Sequence, residues 1–159
     1  MNKIKNPFEG MENQGYNCFA CCPSNPYGLK MTFYEDGEDV VCFWKPELNF
    51  QSWIGTLHGG IQATLLDEVG GWLISRKLQT TGMTTQLNVK YRSNVPVAEG
   101  VTLEIRGHIK EMKRNFAFIE ASISHDGKVC TSCEMVYCTF SKEIAEKEFL
   151  FFGCPLEEE

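Results

Sequence analysis

Gly55-Thr56-Leu57-His58-Gly59-Gly60-Ile61-Gln62-Ala63-Thr64-Leu65-Leu66-Asp67-Glu68-Val69 begins the stretch whose reading decides the fold. Residues 59–78 contain no proline and are rich in Ala, Leu, Ile and Trp, a run of helix length rather than strand length. Ile61, Leu65, Val69, Trp72 and Leu73 recur at three- and four-residue steps. Leu66 and Ile74 occupy other faces, so the helix is expected to be buried on most sides.

Outward from this helix the pattern is that of strands. Residues 29–35 and 39–45 read as a hairpin joined through Asp36-Gly37. Residues 84–92, 101–110, 115–125 and 128–141 alternate or are rich in β-branched and aromatic side chains, and His125-Asp126-Gly127-Lys128 is a strong turn signal. No crossover helices separate the later strands, which excludes a doubly wound α/β domain. The expected class is α+β: an antiparallel sheet of about six strands wrapped around one long central helix. Residues 1–28 form a loop-rich leader, 29–141 the domain, and 142–159 a terminal tail with apolar Phe149, Leu150, Phe151 and Phe152.

A chain of 159 residues is the size of one domain. With 43% hydrophobic and 23% charged residues, neither disorder nor a fibrous repeat is indicated. A net charge of −6 argues against a nucleic-acid binder, whose phosphate contacts need a basic surface. Residues 1–17 carry Lys3 and Lys5 but no apolar run of the signal-peptide kind, and no stretch approaches a membrane span, so a cytoplasmic location without membrane attachment is expected.

The eight cysteines include two C-x-x-C pairs, Cys18 with Cys21 and Cys130 with Cys133. Four zinc ligands would be available, but the second pair lies on a strand, where residues three apart point to opposite faces. The cysteines are therefore read as buried reduced thiols, with no metal and no cofactor expected.

Chemistry centres on the helix. Asp67 and Glu68 lie in its middle among Leu65, Leu66 and Val69, and burying a carboxylate is costly unless it is paired or protonated. The structural explanation is an ion pair with Arg76 or Lys77, or access to solvent. The functional explanation is supported by Gly59-Gly60, which places unpaired N–H groups and the positive end of the helix dipole at its start. Such groups can polarise a carbonyl and hold an oxyanion.

The motif from Gly55 through His58-Gly59-Gly60 to Asp67-Glu68 resembles the signature of the PaaI-like hotdog-fold acyl-CoA thioesterases, in which an acid follows the His-Gly-Gly histidine by nine residues. Gly82-Met83-Thr84-Thr85-Gln86-Leu87-Asn88-Val89-Lys90-Tyr91 is similar to that family's next strand, and Cys18-Phe19-Ala20-Cys21 with Asn25-Pro26-Tyr27-Gly28-Leu29 is similar to a leader found in one branch. The resemblance implies hydrolysis of an acyl-CoA thioester in a homodimer or homotetramer. It assigns Asp67 as general base or nucleophile, Gly59 as donor to the thioester oxygen, His58 as a group that orients the loop or substrate, and Thr84 as the holder of the attacking water. Gly60 adjoins that donor as a substrate contact. Where some members carry asparagine six residues before the histidine, this chain has Ser52 with Gln51 beside it, and these are the remaining candidate substrate contacts.

Assembly follows separately from arithmetic. Gly59 and Asp67 are eight residues apart, about 12 Å along a helix. Catalytic contacts need about 3 Å, so the two must meet across a two-fold interface. Three readings compete: a non-catalytic acyl-CoA-binding or sensing module, a hotdog dehydratase, and a redox protein built on Cys18 and Cys21. The first lacks an output domain, the second would need another His-acid spacing, and the third lacks the strand-then-helix context of a reactive dithiol.

Overall fold

The computed structural model describes residues 1–158; the last residue of the expected tail, Glu159, lies outside them. Seven strands form one antiparallel sheet: β1 (Asn2–Lys3), β2 (Tyr34–Asp36), β3 (Asp39–Trp44), β4 (Gly82–Tyr91), β5 (Leu103–Lys113), β6 (Phe116–His125) and β7 (Lys128–Thr139). Their order is β1-β2-β3-β5-β6-β7-β4. The long helix is α1 (Gly59–Leu73), continued by a π-helical turn at Ile74–Leu78, so the helical run ends at the expected residue. It packs against β3 through β7, which curl around it.

The helix buries Leu65, Leu66, Val69, Trp72 and Leu73 against Val40, Cys42, Leu103, Ile105, Ile119, Ile123 and Met135 of the strands. Each fully buried aliphatic side chain contributes about 1.5–3 kcal/mol of transfer free energy. Phe33 stacks on Trp72 at a centroid distance of 4.4 Å. The helix stops where Gln79 turns left-handed at φ 54°, its side-chain amide donating to the Arg76 carbonyl at 2.8 Å.

Two departures from the expected strands have physical causes. Residues 29–33 alternate as predicted, with Leu29, Met31 and Phe33 buried, yet only Tyr34–Asp36 join the sheet. Lys30 lies at φ 54°, and the backbone of this segment bonds to the leader instead, Leu29 N–H to Phe19 O at 2.8 Å and Met31 N–H to Ala20 O at 2.9 Å. The seventh strand is β1, two residues long and polar in sequence, with no apolar alternation to announce it. The tail contains a second helix, α2 (Lys142–Phe149), capped by the Ser141 side chain. Beyond it Phe151 and Cys154 are buried, and the tail meets the leader through Lys5 N–H to Pro155 O at 2.9 Å. Among the described residues no helix is long and apolar enough to cross a membrane.

Candidate active site

The residues before α1 are folded by their own hydrogen bonds. Ser52 N–H donates to Thr56 O at 2.8 Å, Gly55 N–H donates to Gln51 Oε1 at 3.2 Å, and His58 N–H donates to Phe50 O at 3.0 Å. Gln51 and Ser52, candidate substrate contacts by sequence, thus close the loop that delivers the chain to the helix. Gly55 sits at φ 77°, a conformation that a side chain would strain.

His58 is the N-cap of α1, its Nδ1 accepting the Gly60 N–H at 2.9 Å. Gly60 therefore places its N–H in the cap. The neighbouring Gly59 N–H has no acceptor among the described residues and is, with the Ile61 N–H, a donor left at the helix start. Gly59 is held from the other side by the Tyr91 hydroxyl, which donates to its carbonyl at 2.7 Å.

One turn on, Gln62 is buried inside the apolar surface. Its Nε2 donates to Leu57 O at 3.0 Å, and its Oε1 accepts from the Thr131 hydroxyl at 2.5 Å. This amide ties the loop and β7 to the helix start. Its signal was present in the sequence, a glutamine within an otherwise apolar helical run, but it was not recognised. Nothing in the sequence distinguished Tyr91 from an ordinary strand aromatic.

At mid-helix the carboxylate meets β4. Thr84 Oγ1 donates to Asp67 Oδ1 at 2.5 Å. The hydroxyl of Tyr137, on β7, adjoins Thr84; burial pushes its pKa up to about 12, and the Asp67 charge adds to the effect. Tyr137 therefore stays a neutral phenol, a third member of the cluster that sequence reasoning missed. The ion-pair explanation for the mid-helix acids does not hold in this fold. Arg76 and Lys77 bind Glu35 at 2.9 and 2.8 Å, drawing both cations to the β2 side of the molecule.

Glu68 leaves the helix in another direction, toward the leader, where its Oε1 accepts from Trp72 Nε1 at 3.0 Å. A cavity of about 500 Å³ lies on this side, lined by Tyr16, Glu68, Trp72, Gly82 and Tyr137 among others. Tyr137 is shared between the cavity and the Asp67–Thr84 pair. The chain thus brings Asp67, Thr84 and Tyr137 together beside a partly apolar cavity. Gly59 and His58 lie about two helical turns away, roughly 12 Å along the axis.

Residues 54–131 match the model of the Thioesterase superfamily. Acyl-coenzyme A thioesterase 13 of Homo sapiens is 30% identical over 87 residues, 54% of this chain and 61% of that protein. This chain thus spans about three fifths of the length of the acyl-coenzyme A thioesterase 13 relatives it matches. A Thioesterase superfamily protein from Shewanella loihica PV-4 is 30% identical, with a TM-score of 0.60 over 74% of this chain and 96% of that one. The fold is also that of a hypothetical thioesterase from Streptococcus pneumoniae TIGR4, solved with coenzyme A, at 20% identity and a TM-score of 0.63 over 70% of this chain and 90% of that one.

Proposed function

Because the chain belongs to the Thioesterase superfamily, we propose that it hydrolyses acyl-CoA thioesters, using Asp67 as the base and Gly59 of a second subunit as the oxyanion donor. The observation that carries this reading is the hydrogen bond from Thr84 to Asp67 on the helix flank. A carboxylate that accepts from a hydroxyl at one oxygen keeps acceptor capacity for a water proton, and the hydroxyl oxygen can itself accept from the same water.

In the proposed reaction Asp67 removes a proton from that water as its oxygen adds to the thioester carbonyl. The developing oxyanion accepts from the Gly59 N–H at the positive end of the opposing helix. Collapse breaks the carbon–sulfur bond, and the departing coenzyme A thiolate takes the proton from Asp67. The products are a free acid and coenzyme A, with Asp67 again ionised. His58 keeps the donor loop in place through the Gly60 cap and takes no proton.

Support for a homodimer comes from two features. The half-sites within one chain are too far apart to act on one carbonyl. Moreover, the ten-residue strand β4 is an edge of the sheet, and it carries Thr84 along with the exposed side chains of Met83 and Tyr91. Exposed edges of this length are sites where a second chain can add. At the tip of the loop before α1, Trp53 and Ile54 are 82% and 97% exposed, an apolar pair consistent with further contact. Acyl-CoA as ligand, a homodimer or homotetramer, and a cytoplasmic setting belong to this proposal together.

The test is turnover of an acyl-CoA panel, followed by release of free thiol, in wild type and Asp67→Asn. The substitution is nearly isosteric, so folding and acyl-CoA binding should persist while kcat falls by about 10² or more. Full turnover in folded Asp67→Asn would refute the assignment. Tight acyl-CoA binding with no turnover of any substrate by wild type would favour the non-catalytic module.

A further inference from the structure

The leader brings a second group of reactive side chains onto the central helix, apart from the Asp67–Thr84 pair. Its turn is fixed by Cys22 N–H donating to Cys18 O at 3.1 Å and by the two backbone bonds that join Phe19 and Ala20 to Leu29 and Met31. Gly28 allows the close crossing: a Cβ there would stand 2.5 Å from the Phe19 carbonyl oxygen. The result is that Cys18 Sγ lies 3.8 Å from Glu68 Oε1, on a residue fifty positions later. The sulfurs of Cys18 and Cys21 and a Glu68 carboxylate oxygen all lie within 4.8 Å of one another.

These distances are close to those of a coordination sphere. Tetrahedral zinc, with sulfur at about 2.3 Å and oxygen at about 2.0 Å, has ligand–ligand edges of roughly 3.5–3.8 Å. A contraction of at most about 1.3 Å on any edge converts the observed triangle into three corners of that tetrahedron.

The charges call for a cation. Hydrogen-bond partners of the three groups are one another, the Ala20 and Cys21 N–H groups at the Cys18 sulfur, the Trp72 indole at Glu68, and the Tyr16 hydroxyl at Cys21. None of these partners is positively charged. Three groups that can each become anionic are thus gathered on partly buried ground without a balancing charge. Backbone N–H groups aimed at a sulfur, and an indole N–H fixing a carboxylate, are the outer contacts that orient metal ligands.

We propose that Cys18, Cys21 and Glu68 form a binding site for a divalent, sulfur-preferring metal ion of the zinc class, which clamps the leader to the central helix. Two thiolates exclude magnesium and calcium as the preferred ion. The cavity that all three residues line gives the ion access and leaves a fourth coordination position open. This departs from the sequence expectation of buried reduced thiols without a metal, which weighed only Cys130 and Cys133 as further ligands and set them aside. The third ligand comes instead from the helix, and no spacing rule for paired C-x-x-C motifs would find it.

The test uses the whole chain, reduced and stripped with a chelator, and titrated with Co²⁺ under anaerobic conditions. One equivalent should bind, giving near-ultraviolet thiolate-to-cobalt absorption and the visible bands of a tetrahedral ion, and Zn²⁺ should bleach both. Cys18→Ser and Cys21→Ser should abolish the thiolate band, with the alanine variants available should serine disturb folding. Glu68→Gln should weaken binding by more than about tenfold. Cys130→Ser, Cys133→Ser and Asp67→Asn should titrate as wild type, the last separating this site from the hydrolytic proposal. The proposal is overturned if wild type shows no saturable one-to-one binding. It is also overturned if Cys18→Ser keeps the band, or if Glu68→Gln binds as tightly as wild type.

Discussion

Thr84 on the edge strand donates its hydroxyl to Asp67 in the middle of the central helix, at 2.5 Å, so one short bond joins the sheet to the helix at the proposed site. If this hydroxyl positions Asp67 and its water, Thr84→Val should lower kcat by about 10- to 100-fold with a small change in KM. Thr84→Ser should retain most of the rate. A valine variant with wild-type kcat would remove Thr84 from the mechanism.

His58 is expected to act through backbone geometry. It caps α1 by accepting the Gly60 N–H, and loss of such a cap costs about 0.5–2 kcal/mol. His58→Ala should lower the unfolding free energy by that amount and reduce kcat modestly, while His58→Asn, another capping residue, should recover stability and much of the rate. Were His58 a general base, asparagine would be as inactive as alanine, and the pH–rate profile would lose a limb.

The Glu35 cluster gives a pH prediction away from the site. Hydrogen bonds and charge from Arg76, and then Lys77, hold the Glu35 carboxyl below its ordinary value of 4.5. A carboxyl with a folded pKa below its unfolded pKa binds fewer protons when folded. Its stabilisation is therefore full above about pH 4.5 and declines as pH falls through the folded pKa. Glu35→Gln should cost about 1–3 kcal/mol at pH 7, since it removes the charge that both Arg76 and Lys77 bind. Urea unfolding from pH 7 to pH 3 should show this difference shrinking with acid. A difference independent of pH would show that packing, and not charge, is at work.

The parts of this structure legible in the sequence are those with a strong period or a specific turn. The helical run 59–78 could be read because nothing within it breaks a helix, and the later strands because their alternation is regular and Asp126-Gly127 supplies the left-handed turn, with φ of 49° and 78°. The leader and tail were not legible, because their order depends on each other. Ile4 bridges to Leu156 and Lys3 O accepts from Glu157 N–H, pairings that no local pattern encodes. At the candidate site, Asp67, Thr84, Gly59 and His58 were found through the motif. Tyr137, Gln62 and the Glu68–Cys18 approach were not, since each is a contact between distant segments.

The division of the site between subunits can be tested by complementation. Gly59 is the first residue of α1, a position that tolerates proline because its N–H has no partner in the helix. His58 before it lies at φ −57° and ψ 133°, the extended region that a following proline requires. Gly59→Pro thus removes the proposed oxyanion donor with little disturbance and should lower kcat by about 10²–10³. Mixed in equal amounts with Asp67→Asn and allowed to exchange subunits, half the dimers are hybrids, each with one intact site of two. Activity should therefore rise from near zero to about one quarter of wild type. A site contained within one chain predicts no recovery at any mixing ratio, because every chain then carries one defect. Recovery near one quarter would require Gly59 and Asp67 to come from different chains, as proposed from their helical separation of about 12 Å, at about 1.5 Å per residue.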